Sequence, residues 1–275
     1  MIFPTGKKHT SFSEVRTWKE CSWQHKLAHI DKIKDFDEPS PYLDFGTCAH
    51  EGAESLLKGE KIDREKLIKT LTAAWEKHGF EDPEWYSRQP SWYKHVPLST
   101  WVQWVNNMWD EIPAFLDEEF PGWEYIKAEE QLYEVVENKD LNFKGYIDGV
   151  IKVPNTKGEG HNYWIIDWKT SQSYGWRRQK KQDILMTAQL ILYKHFWSRK
   201  HAVPLKDIRC GFVLLKRGGK PGRICELVTV SVGPKALEKA NKILNNMISA
   251  VRRQMFLKNR NSCTYCPYKN TDHCV

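Results

Sequence analysis

The spacing of hydrophobic and polar residues divides this 275-residue chain into a helical first part and a mixed second part. Over residues 11–30 the apolar positions recur at helical spacing, and Ser11 or Ser13 stands where a helix cap belongs. A second helix is predicted over 47–59, and residues 60–120 are predicted to be mostly helical. The pattern therefore predicts helices for most of the chain up to residue 120.

The spacing changes near residue 125, where apolar and β-branched residues begin to alternate with polar ones. Strands are predicted over 125–137 and 141–153, with a turn at 138–140 between them. The pattern then predicts, in order, a strand in "YWIIDWKTSQ", an amphipathic helix in "RQKKQDILMTAQLILYKHFWSRK", two strands in "DIRCGFVLLKRGG" and "GRICELVTVSV", and a helix from Pro234 to Leu257. This order favours the α/β (α+β) class, with a mixed central β-sheet flanked by helices.

Charge and apolar content narrow the class of protein only a little. The net charge of +7 permits nucleic-acid binding without establishing it. No run of eighteen apolar residues occurs, so no membrane span is predicted. The segment "MIFPTGKKHTSFSE" lacks the apolar core of a signal peptide, which makes a cytoplasmic location the expectation.

Charged residues interrupt two otherwise apolar strands, and they carry the candidate chemistry. In "IIDWKT", Asp167 and Lys169 are two residues apart, so their side chains point to the same face. In "KGYIDGVI", Asp148 occupies the preceding strand, which is expected to be the neighbour. Two carboxylates beside a lysine suit a hard divalent cation that acts on a phosphate. The residues alone leave a structural ion pair open as the alternative.

The order of these motifs resembles the PD-(D/E)XK nuclease superfamily. "GYID", followed about twenty residues later by "IIDWKT", is similar to its catalytic pattern, and within it to the RecB-like branch of CRISPR-associated and phage exonucleases. "FGTCAHEG", "AQLILY" and the N-terminal helix with Cys21 resemble further motifs of that branch. The resemblance implies a single nuclease domain over 1–275, with a restriction-endonuclease-like core. Residues 60–124, which match no motif, would be a helical insertion.

The resemblance implies a site for Mg²⁺ or Mn²⁺ at the ends of the two strands. Asp148 and Asp167 would be metal ligands, joined by His50 and by the backbone carbonyl of Trp168. Glu130, on the strand before Asp148, matches an acidic position of the family less closely. For Glu130, a solvated strand glutamate remains the alternative.

The same resemblance assigns residues to catalysis and to DNA binding. Lys169 would act on the attacking water and on the scissile phosphate. Gln189 and Tyr193 are four apart on a helix and so share a face, from which they would position DNA or the lysine. Basic residues that follow the Asp-Trp-Lys strand are predicted to contact the phosphate backbone: Arg177, Arg178, Lys180 and Lys181.

Three of the seven cysteines, Cys263, Cys266 and Cys274, fall within the last thirteen residues, as in a metal site without its fourth ligand. The resemblance supplies Cys21, because many members of the RecB-like branch hold a 4Fe–4S cluster with one N-terminal and three C-terminal cysteines. The seven residues between Cys266 and Cys274 exceed the usual family spacing, so Zn²⁺ stays open as the alternative. The other thiols lie in apolar segments and are predicted to be buried: Cys48, Cys210 and Cys225.

Together these features predict a Mg²⁺- or Mn²⁺-dependent DNA exonuclease that hydrolyses phosphodiester bonds from single-stranded ends. A structure-specific or flap endonuclease is one alternative. A non-catalytic nucleic-acid-binding subunit is another. The intact set of Asp148, Asp167 and Lys169 argues against the last, because a subunit that only binds need not keep all three.

Overall fold

Residues 3–33, 39–89, 95–155 and 159–274 are described by a computed structural model of the chain. The α-helices in these ranges are α1 (Phe12–Glu20), α2 (Ser22–His25), α3 (Pro41–Leu57), α4 (Arg64–His78), α5 (Pro83–Ser87), α6 (Leu98–Glu119), α7 (Arg178–Gln182), α8 (Ile184–His201) and α9 (Pro234–Arg252). The strands are β1 (His9–Ser11), β2 (Glu124–Val135), β3 (Asn142–Pro154), β4 (His161–Ser171), β5 (Ile208–Lys216) and β6 (Cys225–Thr229).

Within the described ranges, the six strands form one mixed sheet in the order β1-β3-β4-β5-β6, with β2 also paired to β3. The β1–β3 and β4–β5 pairs are parallel, and the other pairs are antiparallel. Helices cover both faces of the sheet. This arrangement confirms the predicted mixed sheet flanked by helices, and it agrees with a restriction-endonuclease-like fold.

Two apolar cores lie on opposite faces of the sheet. On one face, α1, α8 and α9 pack against the sheet through residues such as Phe196 and Met247; we call this the α8-side core. On the other face, α3, α4 and α6 pack through residues such as Phe45 and Trp109; we call this the α3-side core. A functional group that reaches both α3 and α8 must therefore lie where the sheet is interrupted.

The predicted helix over residues 178–200 is wrong in two respects. It is divided at Asp183, whose carboxylate accepts a hydrogen bond from the Leu185 N–H at 2.8 Å and so begins α8. Helix α8 is also not amphipathic, because it is covered by the sheet on one side and by α1 and α9 on another. Its buried residues accordingly lie on several sides of the helix: Ala188, Leu190, Ile191, Leu192, Tyr193, Lys194, Phe196 and Trp197.

The ends of three other helices refine the sequence predictions. Ser11 caps α1, where its hydroxyl accepts from the Glu14 N–H at 3.4 Å, as predicted. Helix α3 begins at Pro41, earlier than predicted, because proline is well suited to the first position of a helix. The last helix ends at Arg252 rather than Leu257. Strand β1 is not apparent in the sequence pattern, because three residues are too few to show alternation.

Helices α4, α5 and α6 lie in the section predicted as a helical insertion over 60–124. Residues 90–94 of that section are outside the described ranges. Helices α4 and α6 pack against α3, and Trp75, Trp101 and Trp109 are buried among them. The Trp109 indole N–H donates a hydrogen bond to the Ala49 carbonyl at 3.3 Å, which ties α6 to α3 next to His50. No helix of the described residues is both long enough and apolar enough to cross a membrane.

Candidate active site

The sheet contains a notch beside β3. Strand β2 pairs along almost the whole of one edge of β3, so β1 and β4 share the other edge. On that edge β1 pairs with residues 142–144 and β4 with residues 149–154. Among the described strands, none pairs with this edge from Gly145 to Asp148. The Asp148 carboxylate instead accepts the Trp168 N–H at 2.8 Å, across the point where β3 and β4 separate.

The side-chain alternation of β3 reverses at this notch. Phe143 and Ile147 belong to the α8-side core, whereas Ile151 and Val153 belong to the α3-side core, although all four positions are odd. A regular strand would direct them all to one face. The reversal therefore falls close to Asp148, and it places this carboxylate between the two faces of the sheet.

Four predicted residues meet on the α8 side of the notch. Asp167 is only 1% exposed and forms an ion pair with Lys169 on the same face of β4. The Gln189 side-chain amide donates to Asp167 Oδ1 at 2.9 Å and lies 3.3 Å from the Tyr193 hydroxyl, one turn away on α8. The structure thus brings the Asp-Trp-Lys strand and the Gln-Tyr helix together.

His50 reaches the same site from the α3 side. Its Nδ1 lies 3.7 Å from Asp148 Oδ2. Trp168 separates the two faces, because its side chain is fully buried in the α3-side core while its N–H contacts Asp148. The role of the Trp168 carbonyl remains a prediction.

The electrostatics of the site favour a bound cation. Burial raises the pKa of Asp148, and the nearby Asp167 charge raises it further. Burial also raises the pKa of Asp167, against the opposing effect of Lys169. Burial and the Lys169 charge lower the pKa of His50 to about 4, so its imidazole is neutral at neutral pH and able to act as a ligand. Two crowded carboxylates next to a neutral imidazole fit a divalent cation, which would relieve their repulsion.

The side chains do not surround one point in this conformation. In the described parts of the chain, no three His, Cys, Asp or Glu side chains are placed so that they could hold one metal ion. At the notch the reason is that Asp167 is engaged by Lys169 and Gln189, while Asp148 is engaged by the Trp168 N–H. Metal binding would therefore require Lys169 to give up part of its contact with Asp167.

The structure does not place Glu130 at this site. Its carboxylate accepts hydrogen bonds from the Trp197 indole at 2.7 Å and from Lys200 at 2.8 Å, and it lies 2.6 Å from His201. Glu130 is 5% exposed, so it is not a solvated strand glutamate either. It fastens β2 to the C-terminal part of α8.

The acidic residue of β2 that lies opposite Asp148 is Glu129, the residue before Glu130. It falls between the strand pairs Ala128↔Gly149 and Glu130↔Ile147, and its charge contributes to the raised pKa of Asp148. Its backbone has a φ of +48°, which few residues other than glycine adopt. No sequence pattern reveals this local irregularity, so the choice between two adjacent glutamates required the structure.

The four predicted DNA-binding cations do not form one patch. Lys180 lies with its ammonium 4.6 Å from the centre of a Trp176 ring, and Lys181 is paired with Glu226. Arg177 lines one surface cavity and Arg178 lines a different one. Two cations that the sequence did not indicate, Arg16 and Lys144, instead line the notch with Lys169. Both are distant from Lys169 in the sequence, so no local motif could identify them.

The four predicted cluster ligands, Cys21, Cys263, Cys266 and Cys274, line one cavity of about 410 Å³. Burial raises the pKa of the Cys266 thiol most, and the charges of the other three cysteines raise it further. The thiols are thus neighbours, although the described residues place no three of them closely enough for one ion. As predicted, the remaining thiols are buried, and burial raises the pKa of each to about 12: Cys48, Cys210 and Cys225.

Hydrogen bonds hold the segment around Cys21 against the C-terminal segment. The Leu257 N–H donates to the Ser22 hydroxyl at 2.7 Å, and the Asn259 side-chain amide donates to the Glu20 carbonyl at 2.7 Å. The Trp23 indole donates to the His273 carbonyl at 3.0 Å. The two ends of the described chain therefore meet at this cavity.

Comparison with known proteins agrees with the geometry. The family model of the PD-(D/E)XK nuclease superfamily matches residues 9–271. No curated protein matches the chain. A crystal structure at 2.19 Å of a candidate exonuclease from Eubacterium rectale superposes with a TM-score of 0.56 and 11% identity, covering 96% of this chain and 89% of that one. At that identity the superposition shows a shared fold. Because the family match spans nearly the whole chain and includes every residue of the notch, the chain belongs to the PD-(D/E)XK nuclease superfamily.

Proposed function

We propose that this nuclease is a Mg²⁺- or Mn²⁺-dependent DNA exonuclease that hydrolyses phosphodiester bonds from single-stranded ends. The observation that supports it most directly is the notch, where Asp148, Asp167 and Lys169 meet beside an unpaired strand edge. A cavity of about 480 Å³ opens beside Lys169 at this interruption, where a phosphate would lie next to the ammonium. The exonuclease mode and the preference for single strands rest on the resemblance to the RecB-like branch.

Asp148 and Asp167 would hold the metal, with the neutral imidazole of His50 and the Trp168 carbonyl as further ligands. When bound, the ion supplies a polarised phosphate and a water of lowered pKa. Burial lowers the pKa of Lys169, but the two aspartates outweigh it and raise the pKa overall. Lys169 therefore stays protonated at neutral pH, where its ammonium orients the phosphate and the attacking water. Gln189 holds Asp167 in place, and Tyr193 supports Gln189.

A digestion assay tests this proposal. Wild-type protein and the Asp148→Ala and Lys169→Ala variants are incubated with Mn²⁺ and either end-labelled linear or circular single-stranded DNA. We expect the wild type to degrade only the linear strand and both variants to lose that activity. Lys206→Ala is the matched control, because Lys206 is exposed and lies just before Ile208, which pairs with Tyr163, four residues before Asp167 along β4. It should digest DNA like the wild type.

Each other result identifies a different function. Cleavage of the circle would establish an endonuclease instead. Retardation of DNA without any cleavage by the wild type would establish a binding subunit. Full activity in both Asp148→Ala and Lys169→Ala would refute the assigned site.

We further infer that the cysteine cavity holds a 4Fe–4S cluster. The four cysteines line one cavity, and four thiolates are the ligand set of a cubane cluster; the choice of the cluster over Zn²⁺ rests on the resemblance to the RecB-like branch. Cys266→Ala should lose the visible absorbance of the cluster and stability together, whereas Asp167→Ala should lose cleavage and keep both. Colourless wild-type protein with stoichiometric zinc would refute the cluster.

A further inference from the structure

A second feature of the notch is a cavity of about 480 Å³ beside the unpaired edge of β3. Its walls include Lys169, Gln189 and Tyr193 of the active site. The opposite wall is formed by β1 and the first turns of α1, including Ser11 and Arg16. The floor is β3 from Lys144, where its pairing with β1 ends, to Tyr146 on the unpaired edge. The cavity is therefore continuous with the active site and open to solvent.

Cations from four different elements gather at this cavity. Three of them line it: Arg16 of α1, Lys144 of β3 and Lys169 of β4. The fourth, Lys180 of α7, lies nearby. Burial lowers the pKa of Lys180, and the charges of Arg16 and Lys169 lower it further. The Lys144 charge likewise lowers the pKa of the neighbouring His9, after burial. Arg16, Lys169 and Lys180 are therefore close enough to repel one another, and Lys144 shares the cavity with the first two.

Few carboxylates offset these charges. Arg16 is paired with Glu20 at 2.9 Å on the exposed surface of α1, where such a pair contributes little. In the described residues, Lys144 has no carboxylate within ion-pair distance, and its ammonium lies 5.4 Å from the centre of the Tyr146 ring. Lys169 is paired with Asp167, so of these four cations only Lys144 and Lys180 have no carboxylate partner among the described residues, and an anionic ligand would offset this excess of positive charge.

The cavity also presents an aromatic surface next to its cations. Tyr146 lines the cavity and is 44% exposed, and its ring lies beside the Lys144 ammonium. Proteins that bind single-stranded nucleic acid combine a positive groove for the backbone with aromatic rings on which bases stack. Lys144 and Tyr146 are two residues apart on β3 and provide this combination of a cation and an aromatic ring. The combination favours a polynucleotide strand over a free phosphate as the ligand.

We propose that this cavity is a subsite for the DNA strand next to the scissile bond. Arg16 and Lys144 contact backbone phosphates, and the adjacent base lies against Tyr146. The inference rests on the proposed nuclease function, because it takes the strand to continue from the catalytic carboxylates. Of the four cations predicted from the sequence, Lys180 belongs near this path, whereas Lys181 is neutralised by Glu226.

A binding experiment without metal tests the subsite separately from cleavage. The affinity of a fluorescent single-stranded oligonucleotide is measured by anisotropy in EDTA, at several salt concentrations, for the wild type and for Arg16→Ala/Lys144→Ala. We expect the dissociation constant to rise roughly tenfold or more. The slope of log affinity against log salt should fall by about 1.4, since each phosphate contact on a single strand contributes ~0.7.

Two further variants control for charge and folding. Lys239→Ala/Lys242→Ala removes the same charge from the exposed surface of α9 and should bind like the wild type. Arg16→Lys/Lys144→Arg keeps the charge and should recover most of the affinity. An equal loss in the α9 control, or no loss in Arg16→Ala/Lys144→Ala, would overturn the subsite.

A cleavage comparison distinguishes the subsite from the catalytic site. Thymidine 5′-(p-nitrophenyl) phosphate has a phosphodiester but no flanking phosphates. In Mn²⁺, the Arg16→Ala/Lys144→Ala variant should lose at least tenfold more kcat/KM on a long strand than on this small substrate. Equal losses on both substrates would overturn the subsite. If the wild type cleaved neither substrate, the proposed function would fail, and the anisotropy measurement would still decide the subsite.

Discussion

Gly52 offers the sharpest test of how the fold positions His50. It lies on α3 against the indole of Trp109 on α6, with His50 two residues away on the same helix. A Cβ added at Gly52 would lie 2.8 Å from Trp109 Cδ1 and closer still to Nε1 and Cε2. Trp109 is 1% exposed, so its ring has no free space to move into. Gly52→Ala must therefore push α3 and α6 apart.

The expected loss of stability is the sum of three contributions. Overpacking of a close-packed core costs about 1–3 kcal/mol. Displacement of Trp109 also weakens its hydrogen bond to the Ala49 carbonyl, which is worth roughly 0.5–1.5 kcal/mol. Replacing glycine by alanine inside a helix returns about 1 kcal/mol. The net destabilisation should be about 2 kcal/mol.

Gly46 provides the matched control on the same helix. An added Cβ there meets its nearest neighbour, Thr170 Oγ1, at 3.7 Å, which is an ordinary contact. Gly46→Ala should therefore stabilise the protein by about 1 kcal/mol through helix propensity alone. Urea unfolding of both variants measures the difference, which should be about 3 kcal/mol. Mn²⁺-dependent cleavage by Gly52→Ala should also fall, because the displaced helix carries His50 away from Asp148.

Equal unfolding free energies for the two variants would refute this reasoning. That result would mean that Trp109 moves aside at little cost and that the α3–α6 contact does not set the position of α3. A destabilised Gly52→Ala variant with unchanged cleavage would keep the packing argument and refute the link to His50.

Three further predictions concern other buried groups. Glu130→Gln should lower the free energy of unfolding by about 1–3 kcal/mol at pH 7, because the buried contacts with Lys200 and His201 lose their charge. Burial raises the pKa of Glu130, but these hydrogen bonds outweigh burial and lower the pKa overall. The difference in unfolding free energy between variant and wild type should therefore shrink as the pH falls below the ordinary glutamate pKa of about 4.3. A difference that widens would contradict this. His25 is fully buried without a hydrogen-bond partner for either ring nitrogen among the described residues, and burial followed by the His29 charge lowers its pKa to about 4. The unfolded chain therefore binds an extra proton between about pH 6.5 and about pH 4. As the pH falls through that range, the free energy of unfolding of the wild type should decrease, and it should decrease less in His25→Leu. Parallel pH profiles for the two proteins would rule out this role of His25. Gly145→Ala would place a Cβ 2.6 Å from Tyr193 Cε1, so cleavage should fall as Tyr193 and Gln189 shift, while wild-type cleavage rates in that variant would show that the Gln-Tyr contact does not matter.

The sequence alone determined the local relationships of the site. The two-residue spacing of Asp167 and Lys169 put them on one face of a strand, and the four-residue spacing of Gln189 and Tyr193 put them on one face of a helix. The order of strands and helices also indicated a mixed sheet between helices. Periodicity is a property of the backbone conformation, so it is readable without knowledge of what packs against each face.

Only the tertiary structure decided which of these local features meet. It joined Arg16 and Lys144 to the active site, and it separated Lys181 from Lys180 although they are adjacent. Such pairings depend on strand order and on where β1 and β4 end along β3, which no short motif encodes.

The choice between Glu129 and Glu130 shows the same limit at a single position. Successive residues of a strand face opposite sides, and the register of β2 against β3 places Glu129 rather than Glu130 opposite Asp148. The sequence therefore indicated which residues are candidates for the chemistry, whereas the interruption of the sheet determined which of them lie together.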